Sequence, residues 1–244
     1  MAFQVLANCK AYLDGYDLTG HSNKVELLYS ADILDKTVFG ETAKTKIAGL
    51  KNVEMNLEGF WEAGAGKIDT LAEANLGVAG KIITLCPTGG AANEPFFSFK
   101  NMLGEYSAGA AVGELFPFSY NGQGSDSQGL IKGTVLENGA KTATANGTSR
   151  QLGAVGATQY LYAVMHVLAV SGTNPTLDMI IQCDDNAGFT SPTSKITFAR
   201  ATAIGSQWGT RVAGAITDDY WRASWTIGGT GGPSFTVFVG VAIL

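Results

Sequence analysis

The side chains best able to do chemistry are few and far apart in this sequence. It contains two histidines, His21 in a polar turn and His166 within an apolar run. No cysteine lies within four residues of another cysteine or a histidine, so the ligand spacing of a zinc site is missing. We interpret His166 as a hydrogen-bonded core residue. The sequence therefore predicts no catalytic site, no metal site and no cofactor, and we do not expect an enzyme.

Glycine-rich and acidic stretches also predict turns and not binding sites. GAGKI at 64–68 and GKI at 80–82 lack the first glycine and the Ser/Thr of a phosphate-binding loop. GGTGGPS at 228–234 falls between two predicted strands, which predicts a hairpin loop. The acidic stretches at 184–186 and 218–219 stand at strand ends without the spacing of a calcium loop, so we expect turns there.

Composition points to a subunit of an assembly. Only 15% of the 244 residues are charged, 32 are glycine, and the net charge is −5. A chain with so few charges that stays folded tends to cover its surface with partners. Lys and Arg form no basic stripe, so tight nucleic-acid binding is not expected.

The sequence further predicts a soluble protein of a reducing compartment. Cys9, Cys86 and Cys183 are odd in number and set among apolar neighbours, which is typical of buried, reduced thiols. We find no signal for secretion in the first residues. The longest apolar run, 160–170, is too short to span a bilayer, so no membrane partner is expected.

Strand patterns dominate the chain. Apolar and polar residues alternate at 53–58 and 220–227, turn residues separate such runs, and only 66–77 has helical spacing. We predict an all-β fold, an antiparallel β-sandwich or barrel with one short helix. A faint internal repeat and a linker at 88–95 predict two domains, 1–90 and 96–244; one interlocked sandwich is the alternative.

A polar tract at 31–48 interrupts the strand pattern, and we expect a long loop there. Loops of this length without secondary structure are uncommon in compact domains and are usually functional or disordered. Isolated apolar residues within it would serve as anchors on a neighbouring subunit, although packing on its own domain is an alternative. The predicted inter-subunit arm residues are Ile33, Leu34, Asp35, Thr37, Val38, Phe39, Glu41, Thr42, Lys44 and Lys46.

Four stretches around this tract resemble the N-terminal segment of major tail (tail tube) proteins of tailed bacteriophages. They are a D-G-x-D-L-T-G turn at 14–20, a V-x-L strand at 25–29, a D-x-T-x-F-G-E-T-A tract at 35–43 and a returning strand at 48–61. These motifs are structural and cover about a quarter of the chain. The tract occurs once, because YNGQGSDSQGLI takes its place in the second copy of the repeat.

The resemblance implies a non-enzymatic virion protein that assembles in the cytoplasm of the host bacterium. Its partners would be copies of itself and other virion proteins, in stacked rings of six chains, or of three if the chain is a tandem duplicate. DNA would only pass through the tube without specific binding. A capsid decoration (cement) protein is the first alternative. A carbohydrate-binding module is the second, with Trp208 and Tyr220 as its exposed rings.

Overall fold

The structure is a computed structural model that describes residues 6–244. It confirms the all-β prediction, since strands dominate and the described residues contain a single α-helix. The chain divides into two compact units. The first contains the described residues up to Gly20 together with Ile82–Ser98 and Ile131–Leu244. The second contains His21–Lys81 and Phe99–Leu130.

These units are not the sequential halves 1–90 and 96–244 that the sequence indicated. Each unit takes residues from both sides of the linker at 88–95, and the strand Pro95–Ala108 contributes to both. The polar and glycine-rich composition at 88–95 marks a turn between two strands of one unit. The internal repeat stays a prediction.

The first unit is built on an antiparallel sheet. Its strands are β1 Lys10–Leu13, β2 Tyr16–Asp17, β5 Lys81–Cys86, β6 Pro95–Ala108, β8 Ile131–Lys141, β9 Ala145–Asn146, β10 Arg150–Gln151, β11 Tyr160–Asp184, β12 Thr193–Thr197, β13 Gly205–Trp208, β14 Val212–Ala213 and β15 Tyr220–Ile243. The strand order in the sheet is β12-β11-β15-β8-β6-β5-β1-β2; the short strands β9 and β10 pair with β15, and β13 and β14 pair with β11.

The core of this unit lies on both faces of β11 and β15. Leu161, Ala163 and Met165 face one apolar cluster, while Tyr162 and Val164 face another. A strand covered on both faces needs apolar residues at every position, which is the pattern of 160–170. This part of β11, 161–167, is therefore covered on both faces.

The prediction of a hairpin loop at 228–234 is wrong, because β15 continues through these residues. Thr230 pairs with Thr173 and Ser234 with Ser171 of β11, and the register shifts on either side. The extra residues sit in these β-bulges, where Gly231 and Gly232 adopt positive φ angles of 69° and 71°. Glycine here permits bulges within a long ribbon and does not end the strand.

The elements of the second unit are β3 Ser22–Asp35, β4 Lys46–Phe60, the helix α1 Ile68–Asn75 and β7 Pro117–Gly124, with the later part of β6. The four strands are antiparallel, in the order β3-β4-β7-β6.

The predicted helix is confirmed as α1. Its buried side includes Ile68, Leu71 and Ala72, and Gly77 follows it with a φ angle of 72°. The Gly77 N–H donates to the Leu103 carbonyl of β6 (2.9 Å).

The tract 31–48 is a β-hairpin for most of its length and not the long loop that we expected. β3 continues to Asp35, β4 begins at Lys46, and only 36–45 lies between them. Both faces of the ribbon here are exposed. Such a strand does not need one apolar face, so the alternation by which strands are recognised is absent.

Candidate interaction surface

The two histidines have structural roles. His21 Nδ1 lies 2.8 Å from a carboxylate oxygen of Glu62. His166 is fully buried in the first unit, as predicted. Among residues 6–244, no group of three or more potential metal ligands comes together. No helix in this part of the chain is long and apolar enough to cross a membrane.

A chain of hydrogen bonds fixes His166 as a neutral imidazole. The Gly15 N–H donates to Nδ1 (3.2 Å), so Nδ1 is unprotonated and Nε2 carries the proton. Nε2 then donates to the Thr84 hydroxyl (2.8 Å), which can donate to Ser98 (2.9 Å), and Ser98 donates to the Ile83 carbonyl (2.7 Å). Burial lowers the pKa of His166 to about 3, against the opposing effect of Asp14.

The other reactive groups are also held in the fold. Cys86 and Cys183 are buried free thiols, and burial raises the pKa of each to about 12. Cys9 is only half-buried, which corrects the expectation that all three thiols are buried. Asp184 accepts the N–H groups of Asn186 (3.2 Å) and Ser191 (2.8 Å), as a turn residue does.

The aromatic residues of the C-terminal strands do not form an exposed platform for a sugar. The indole N–H groups of Trp221 and Trp225 donate to the carbonyls of Gly153 (2.8 Å) and Ala143 (2.9 Å) within the first unit. Trp208 and Tyr220, the two rings expected at the surface, are half-buried.

The β3–β4 hairpin has two halves with different surroundings. In the half nearer Phe60, β4 pairs with β3 on one side and with β7 on the other over 54–60. Val53, Met55 and Leu57 of this half are buried. The sheet and its core therefore hold this half in place.

The other half, residues 30–52, has no such support; we call it the distal hairpin. Among the described strands, β3 pairs only with β4, and beyond residue 54 towards the tip β4 pairs only with β3. Every residue of the distal hairpin is exposed except the half-buried Gly49. Its exposed large apolar side chains are Ile33, Leu34, Val38, Phe39, Ile47 and Leu50.

This distal hairpin is locally well ordered by hydrogen bonds at its tip. Asp35 accepts the N–H of Thr37 (2.9 Å) and its hydroxyl (2.5 Å), and Lys46 Nζ lies 3.1 Å from the other carboxylate oxygen. The Thr37 hydroxyl oxygen in turn accepts the N–H of Thr45 (3.0 Å). The hydrogen bonds from Thr37, with a further contribution from Lys46, lower the pKa of Asp35.

The structure places all ten predicted arm residues in the distal hairpin, six of them in the loop 36–45 proper. Leu34 pairs with Ile47 and Asp35 with Lys46, so these pairs each share a face of the ribbon. The prediction omitted Ile47, Leu50 and Lys51, which are also exposed. Their exposure had no signal in the sequence, because IAGL reads as part of the buried strand that follows.

Comparison with known proteins gives similarity at the level of structure only. No protein-family model matches the sequence, and none of the curated proteins compared with it matches significantly. A protein from the virion of a native gene transfer agent particle is 10% identical, with a TM-score of 0.42 over 51% of this chain and 95% of its own.

Two further solved structures show the same level of similarity. The Dit protein of SPP1, described as a hub adsorption apparatus of phages that infect Gram-positive bacteria, is 12% identical, with a TM-score of 0.38 over 97% of this chain and 99% of its own. A chain from the PVC sheath/tube terminator, an extracellular contractile injection system in the extended state, is 12% identical, with a TM-score of 0.43 over 54% and 97%. These structures come from a virion, a phage hub and an injection system.

Proposed function

We propose that this chain is a non-enzymatic virion structural protein that associates with copies of itself through the distal hairpin. The observation that carries the proposal is the hairpin itself. It presents six large apolar side chains to water from a ribbon without core on either face. An isolated two-stranded ribbon is marginally stable in water, and exposed apolar patches mark interaction sites.

The resemblance of 14–61 to tail tube proteins makes the proposed assembly more specific. It is a tube of stacked rings, with six copies in each ring, or three if the chain is a tandem duplicate. A net charge of −5 suits a tube through which DNA passes, because like charges keep the phosphates from binding its wall.

The proposal is tested by removing two exposed apolar side chains of the distal hairpin without disturbing the core. We expect the double variant Val38→Ser/Phe39→Ser to keep the thermal midpoint of the wild type, since both side chains are already in water. It should nevertheless lose assembly in sedimentation velocity at concentrations where the wild type assembles.

The matched control is Ile204→Ser, which removes an exposed apolar side chain of the first unit. This variant should assemble as the wild type does. Assembly of the Val38/Phe39 variant at the wild-type concentration would contradict the role of the distal hairpin.

A further inference from the structure

A second exposed apolar surface of the second unit lies around the end of β4 at Phe60 and along helix α1. We call it the base surface and define it as residues 60–80 and 105–116. It includes the segment after β4, helix α1 and the loop between β6 and β7. Its exposed large apolar side chains are Phe60, Leu76, Val78, Val112, Leu115 and Phe116.

Specific contacts join the parts of the base surface. The Trp61 N–H donates to the Phe116 carbonyl (2.8 Å), and the two rings meet edge to face with 5.4 Å between centroids. The Trp61 indole N–H donates to Asp69 of α1 (2.9 Å). Leu76, just beyond α1, forms a β-bridge with the buried Leu103 of β6, so 76–80 lies along the sheet, away from Phe60. Trp61 therefore joins the segment after β4 both to the loop and to the helix.

The base surface and the distal hairpin have net charges of opposite sign. The base surface carries Glu62, Asp69, Glu73, Glu105 and Glu114 against Lys67 alone, a net charge of −4. The distal hairpin carries Lys36, Lys44, Lys46 and Lys51 against Asp32, Asp35 and Glu41, a net charge of +1 in a chain whose total is −5. Glu73, Glu105 and Glu114 are all exposed.

One strand connects the two surfaces. The 15 residues of β4 run from Lys46, near the tip of the distal hairpin, to Phe60 in the base surface. At about 3.4 Å per residue, Lys46 lies roughly 50 Å from Phe60. The tip of a chain's own distal hairpin therefore cannot reach Phe60 while β4 remains a strand.

A recess is present at the edge of the base surface. It has a volume of about 460 Å³ and is lined by Gly59, Ala108, Gly109, Pro117 and Phe118, among others. Phe60 pairs with Pro117 where β4 and β7 meet, which places the recess at the end of the sheet that bears the base surface. Side chains from a partner could insert here without any rearrangement of the sheet.

We propose that the base surface of one copy receives the distal hairpin of the next copy. This inference rests on the proposed self-association and names the surface that accepts the hairpin. Apolar side chains meet apolar side chains, and the lysines of the hairpin lie among the carboxylates of the base surface. Because the two surfaces differ, the contact is head-to-tail, and head-to-tail contacts produce rings or continuing stacks.

The test exchanges charges between the two surfaces. One variant is Glu73→Lys/Glu105→Lys/Glu114→Lys, which changes the net charge of the base surface from −4 to +2. The other is Lys44→Glu/Lys51→Glu, which changes the net charge of the distal hairpin from +1 to −3. We expect each variant alone to require at least about tenfold more protein for assembly, because like charges then face each other. An equimolar mixture should assemble close to the wild-type concentration, since each hairpin then finds a base surface of opposite sign.

The control is Asp17→Lys/Glu26→Lys/Asp185→Lys, which makes the same change in net charge as the base-surface variant at exposed residues outside both surfaces. It should assemble as the wild type does. Assembly of either variant alone at the wild-type concentration, or a mixture no better than its components, would overturn the inference.

Failure of the proposed function is distinguishable from failure of this inference. If the wild type does not self-associate at any concentration, the proposed function fails before any variant is made. If the wild type assembles only when DNA or another virion protein is added, a second copy is not the occupant of the base surface. If the wild type assembles but the charge-exchange variants assemble at the same concentration as the wild type, only the assignment of the base surface as the acceptor of the hairpin fails.

Discussion

His166 connects three segments of the first unit that are distant in sequence. Its imidazole accepts from Gly15 and donates to Thr84, and the bonds continue to Ser98 and Ile83. Protonation of Nδ1 would point the new N–H of the imidazole at the Gly15 N–H, in a site without water access. The network is therefore complete only while the ring is neutral, which is why the folded protein resists protonation of this residue.

Stability should consequently fall as the pH decreases below about 6.5. The unfolded chain binds a proton at His166 near pH 6.5, whereas the folded chain, with a pKa of about 3, does not. The loss is absent above pH 6.5, reaches about 2 kcal/mol at pH 5, and continues to grow until about pH 3. Urea unfolding at pH 7 and pH 5 measures it.

His166→Gln is the matched comparison, because it removes this titration and leaves His21 in place. The variant should start from a lower stability but lose about 2 kcal/mol less than the wild type between pH 7 and pH 5. Equal losses in the two proteins would show that His166 is not the group responsible.

Residue by residue, the sequence was most informative where one face of a strand is buried. His166 was predicted as a core residue because it lies within an apolar run, and the alternation at 220–227 matches the burial of Trp221 and Trp225. Cys9 was also predicted to be buried but is only half-buried, since it lies between Asn8 and Lys10 and precedes β1. Neighbouring residue types indicate burial only when the element that carries them is itself covered.

At the scale of elements, the β3–β4 hairpin has one half that packs in the core of the second unit and one half that is exposed to water. Leu57 and Leu34 show the difference. Leu57 is buried where β4 lies between β3 and β7, while Leu34 is exposed in the ribbon beyond β7. Leu57 contributes to the core of the second unit, and Leu34 does not.

Alanine substitutions at these two leucines should therefore differ sharply. Leu57→Ala leaves a cavity and should lower the free energy of unfolding by about 2–5 kcal/mol. Leu34→Ala removes no buried contact and should change it by less than about 0.5 kcal/mol. Urea unfolding of the dilute protein measures both, and a loss of more than about 2 kcal/mol for Leu34→Ala would show that the distal hairpin packs within its own chain.

Elements were predicted well where they are covered and poorly where they are not. The helix α1 and the doubly covered part of β11 follow from periodicity. The ribbons at 31–48 and 228–234 were read as loops, because their faces are exposed and their polar or glycine-rich residues resemble turns. The four apolar residues of the predicted arm are exposed in the structure, and their contact with another subunit stays a prediction.

At the scale of the whole molecule, the chain combines few charges with two exposed apolar surfaces of opposite sign. Both belong to the second unit; the distal hairpin contains the start of β4, and the base surface begins where β4 ends at Phe60. Repeated head-to-tail contacts between identical subunits, as proposed above, would use both surfaces of every copy. The base surface had no signal in the sequence, because 60–80 and 105–116 come together only through folding.

The most direct measurement is negative-stain electron microscopy of the purified wild-type protein across a concentration series. The account predicts rings that stack into hollow tubes as concentration rises, with three or six copies in each ring. Discrete small oligomers that never stack at any concentration would contradict it and favour a protein that decorates a capsid.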